Sequence, residues 1–89
     1  MSRREEWRGI LDAEVTRWSA MPCAQLMEEL HEAKAYQVDA NARRFQVEVD
    51  LVEDTADYLH VVVSVDDGSL PWSIFPVTRG FIKKKGENA

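Results

Sequence analysis

The chain has 89 residues, 45% of them apolar and 30% charged, and a net charge of −5. That length holds one hydrophobic core, and the composition is ordinary for a globular protein, which argues against disorder. The acidic balance argues against nucleic acid as the main partner, because affinity for phosphate rests on Lys and Arg. One cysteine, Cys23, cannot form an internal disulfide, which favours a reducing compartment. The opening "MSRREEWRGI" lacks the apolar run of a secretory signal, and no segment approaches the ~18 apolar residues of a membrane helix. The expected setting is cytoplasmic, away from membranes.

Taken in chain order, Trp7, Ile10, Leu11, Glu14, Val15 and Trp18 recur at spacings of three and four, which predicts a first helix with one polar interruption. Ser2 and Glu5 fit a capping box at its start. Ser19-Ala20-Met21-Pro22 breaks this helix. Ser19 is the expected N-cap of a second one, with Pro22 in its first turn. That helix carries Cys23, Leu26, Met27, Leu30 and Ala33 on one face and should end near Lys34.

A short strand is expected over Ala35 to Asp39, and the "DANAR" segment after it reads as a turn. Phe45, Val47, Val49 and Leu51 alternate with Gln46, Glu48 and Asp50, the pattern of a strand with one buried face. Leu59, Val61, Val63 and Val65 repeat it. Pairing Leu51 with Leu59 and Val49 with Val61 aligns the two apolar faces around a loop of about three to five residues. Asp67-Gly68 supplies a turn, and a last strand should run from about Trp72 to Ile82.

The expected fold is α+β: two N-terminal helices on one face of an antiparallel meander of three to four strands. Residues 1–82 form the domain, and 83–89 form a basic tail expected to be disordered. Seven acids and no Lys or Arg lie between Phe45 and Leu70, whereas Arg79, Lys83, Lys84 and Lys85 follow with no acid among them. Pairing of the basic last strand with the acidic middle accounts for that segregation.

The segment "VDDGSLPWSIFPV" points to a functional surface. Phe75, Val77 and Phe81 share the parity that meets the core, whereas Trp72, Ile74 and Thr78 share the other. Pro76 cannot donate to a ladder and belongs on an edge strand. Tyr58, His60, Val62, Trp72 and Ile74, with Val52 beyond, should then form an apolar and aromatic patch on the helix-free face. Its expected use is self-association or the binding of another protein, unless Trp72 folds back into the core.

Other chemistry finds weaker support. Glu28 and His31 have a Glu-x-x-His spacing, but a di-iron bundle needs two such helices and further Glu, so no metal is expected. Cys23 falls on the apolar stripe of its helix and reads as inert. His60 has carboxylates nearby but no candidate nucleophile. No phosphate loop, cofactor fingerprint or nucleophile elbow occurs, and no catalytic residue or cofactor is assigned. Two alternatives remain: a small-ligand binder or minor enzyme with a pocket lined by Trp7, Trp18 and Phe81, and an acidic inhibitor or immunity-type protein presenting Glu48, Asp50, Asp54 and Asp57.

Overall fold

A computed structural model describes residues 3–68 and 76–86. Helix α1 spans Arg3–Ser19, α2 Cys23–Glu29, and four strands follow: β1 Lys34–Ala40, β2 Arg43–Asp54, β3 Tyr58–Asp66 and β4 Val77–Lys84. The strands form one antiparallel sheet in the order β1-β2-β3-β4, with both helices preceding it in the chain. This is the expected α+β architecture. None of the described helices is long and apolar enough to cross a membrane.

In α1 the three-and-four spacing does what it dictates: Trp7, Ile10, Leu11 and Trp18 are buried, and Glu14 is buried with them. The Ser2 half of the capping box lies outside the described residues. Ser19 is not the N-cap of α2; it closes α1, and its hydroxyl turns back to donate to the Thr16 carbonyl at 3.3 Å. Pro22 takes the cap position instead, with φ −62° and ψ 156°. Its ring restricts the preceding residue away from helical geometry, so the break falls at Pro22.

The second helix stops at Glu29, five residues before Lys34. Glu28 and Glu29 occupy its last turn, where the dipole disfavours acids, and no basic residue is there to offset them. The His31 ring meets the Glu28 carbonyl at 2.9 Å, taking one of the free carbonyls at that end.

Strand β1 turns into β2 through Asn41 and Ala42, whose φ angles are 52° and 63°. Two successive positive φ values make a two-residue type I′ hairpin, the turn whose twist matches the strands it joins. The β2–β3 pairing keeps the expected parity but shifts by two: Leu51 faces Val61 and Val49 faces Val63. The strands run further than expected, to a three-residue turn in which the Thr55 hydroxyl accepts from the amides of Asp57 at 3.1 Å and Tyr58 at 3.0 Å. A bulge at Val52 accommodates the offset between Leu51 and Glu53.

On β4, Val77 faces Val65 and Phe81 faces Val61, and both pack against the core. Phe75 lies outside the described residues, and Pro76 directly precedes the strand. The strand continues through Lys84, so the tail boundary at residue 83 falls inside it. Lys85 donates to Asp54 at 2.6 Å, one instance of the basic end pairing with the acidic middle.

The core lies between α1, α2 and one face of the sheet. Phe45, Val47, Val49, Leu59, Val61, Val63 and Val65 line it from below. Trp7 meets Phe45 edge to face with ring centroids 6.1 Å apart.

Candidate functional site: the helix-free face of the sheet

Because successive side chains on a strand point to opposite faces, the residues between the core valines share one surface. On β3 these are Tyr58, His60, Val62 and Ser64, all half-buried. Cross-strand partners complete the surface: Ile82 stands opposite His60, Gly80 opposite Val62, and Asp50 flanks Val62 from β2. Tyr58, His60 and Val62 are therefore brought together as expected. Trp72 and Ile74 lie outside the described residues.

Three members of this surface were not legible as such. Gly80 is the first. A Cβ built there would sit 2.9 Å from His60 Nε2, so the imidazole lies in the notch left by the missing side chain. Glu53 is the second. The bulge at Val52 puts Glu53 opposite His60, where Tyr58 donates to its Oε1 at 3.0 Å and His60 Nδ1 stands 3.8 Å from the same oxygen. That hydrogen bond pushes the Tyr58 phenol above its ordinary pKa, because the carboxylate favours the protonated hydroxyl. Ile82 is the third; it is 53% exposed and pairs with His60 in the β3–β4 ladder. Its parity with Thr78 could have identified it; the bulge that re-aims Glu53 has no comparable sequence signal.

Beside this apolar and aromatic group stand unneutralised charges. Glu48 and Asp50 sit two apart on β2, and among the described residues neither makes an ion pair or side-chain hydrogen bond. The surface thus joins an exposed isoleucine, a seated imidazole and a pair of free carboxylates.

A histidine and a carboxylate are close, but no described hydroxyl or thiol is hydrogen-bonded to His60, and Ser64 and Thr78 engage each other at 3.3 Å. Among the described residues no group of three His, Cys, Asp or Glu is placed to hold a metal ion. Cys23 is half-buried, with its Sγ 3.6 Å from the Lys84 carbonyl.

Of the aromatics expected to line a ligand pocket, Trp18 borders a surface cavity of about 570 Å³ together with Met21 and Tyr36. Trp7 and Trp18 are each 1% exposed, and Phe81 packs against the same core. Trp18 Nε1 donates to the Tyr36 hydroxyl at 2.8 Å, and that hydroxyl donates to the Glu14 carboxylate. Arg17 completes the group, donating to Glu14 at 3.1 Å while its guanidinium stands over the rings of Trp18 and Tyr36. Burial, reinforced by the bond to Glu14, pushes the Tyr36 phenol up to about 12. Trp18 Nε1, the Tyr36 hydroxyl, Glu14 Oε1 and Arg17 Nη1 are engaged with one another, and together they clamp β1 to α1. Compared with protein-family models, curated proteins and solved structures, the chain matches none of them.

Proposed function

We propose that the chain is a binding module whose working surface is the helix-free face of the sheet, and that its partner is a protein presenting basic and apolar groups together. The observation that carries this reading is the exposed Ile82 beside His60, on a face where Glu48 and Asp50 have no cation among the described residues. Charged groups of one sign steer a complementary partner, and a desolvated apolar anchor beside them supplies affinity. Acidic inhibitors of basic toxins or nucleases belong to this class.

Affinity capture from the source cells, with wild type beside Ile82→Lys and the Glu48→Lys/Asp50→Lys double variant, tests the reading. A basic partner retained by wild type, lost by both variants and released by salt is expected. Equal retention by all three proteins overturns it.

A further inference from the structure

The helix-free face carries a cation as well as acids. Lys84 shares the parity of Ile82 on β4, whereas Lys83 turns to the helix side and donates to the Ser19 carbonyl at 3.0 Å. Lys84 is exposed, and among the described residues its ammonium makes no ion pair or side-chain hydrogen bond. Lys34, Arg79 and Lys85, by contrast, are held by Glu29, Asp12 and Asp54. Asp50 is in the same unpaired condition as Lys84, with the opposite sign and on the same face.

Register fixes where these two charges stand. Asp50 pairs with Val62 on β3 and Lys84 pairs with Tyr58, so His60 lies midway between them. They are two strands apart and offset by the length from Val62 to Tyr58, a separation of about 16 Å at ordinary sheet spacings, too far to meet within one chain. Val62 and Ile82 lie on one side of the line that joins them, and Glu53 and Tyr58 lie on the other.

We infer that this face docks on the same face of a second copy of the chain, about a two-fold axis that passes through His60 and runs perpendicular to the Asp50–Lys84 line. The inference rests on the helix-free face being the binding surface, and it names the partner: Lys84 and Ile82 of the second copy are the basic and apolar groups required. The rotation brings Lys84 onto the partner's Asp50 and Asp50 onto the partner's Lys84, so both unpaired charges are answered in one isologous contact. Ile82 falls against the partner's Val62, and Val62 against the partner's Ile82. The strands of the two sheets then cross at near right angles, one of the two orientations in which sheets pack face to face. A foreign partner would have to supply an anion for Lys84 as well as a cation for Asp50. A second copy carries both at the required spacing, and that selects it as the occupant.

Sedimentation equilibrium of the full chain, with circular dichroism as the check on folding, tests the docking by exchanging the charges. Wild type is expected as a dimer. Asp50→Lys and Lys84→Glu each set like charges together at two places, and each should raise the dimer Kd at least about tenfold. The double variant Asp50→Lys/Lys84→Glu restores opposite pairing and should recover the dimer, which no effect within a single chain predicts. A wild-type monomer at every concentration overturns the inference. So does a dimer indifferent to both single changes, or one that the double change fails to restore. A monomeric wild type that still retains a partner lost by Ile82→Lys overturns the second copy alone and leaves the binding surface standing.

Discussion

Val61 and Val62 are neighbours in β3 with the same side chain, yet they belong to different parts of the protein. The first is fully enclosed beneath α1 and faces Phe81; the second is half-exposed, between Asp50 and Gly80. The same contrast runs across the sheet. One face is filled by valines, tryptophans and leucines with a single internal carboxylate, whereas the other mixes Ile82 and His60 with free acids. Burial on the first face stabilises the fold at roughly 25 cal/mol per Å² of apolar area. On the second face Glu53 is held by Tyr58, but Glu48 and Asp50 make no ion pair or side-chain hydrogen bond among the described residues, and that is why binding is proposed there.

The contrast is broken most severely from the inside. Val61→Ala should cost about 2–3 kcal/mol in denaturant unfolding, from lost transfer energy and the cavity left behind, while Val62→Ala costs about 0.5. Tyr36→Phe removes the hydroxyl that serves both Trp18 and Glu14, and should cost about 1–3 kcal/mol at neutral pH. That difference depends on pH in a defined direction. The phenol is raised from 10.0 in the unfolded chain to about 12 in the fold, so its contribution is complete below pH 10 and is lost as pH rises towards 12. The stability gap between wild type and Tyr36→Phe should therefore narrow over that interval.

Smaller effects sharpen the comparison. Ala42→Gly relieves a positive φ of 63° and should stabilise by about 0.5–1 kcal/mol, measured by the same unfolding curves. Gly80→Ala should leave stability within about 1 kcal/mol but displace the His60 ring, which its NMR shifts would report. Glu48→Lys should be neutral or slightly stabilising, within about 0.5 kcal/mol, because it reduces repulsion with Asp50.

What the sequence made legible was parity. Alternation in Phe45 to Leu51 and Leu59 to Val65 identified the core face residue by residue, and it united Tyr58, His60 and Val62 on the other. What it could not carry was anything set by local geometry off the period. The bulge at Val52 brings Glu53 to His60, and no residue type there announces it. The early end of α2 depended on acids at a helix C-terminus, a weak effect against a persuasive apolar stripe. The register slipped by two because parity is satisfied equally by either pairing, and only the Thr55 turn distinguishes them.

The account stands on the helix-free face being open in the single chain, and equilibrium urea unfolding of Ile82→Lys measures this most directly. A stability within about 0.5 kcal/mol of wild type, with an unchanged slope, is the predicted result. A loss above about 2 kcal/mol would mean that Ile82 is packed inside the protomer, and would contradict it.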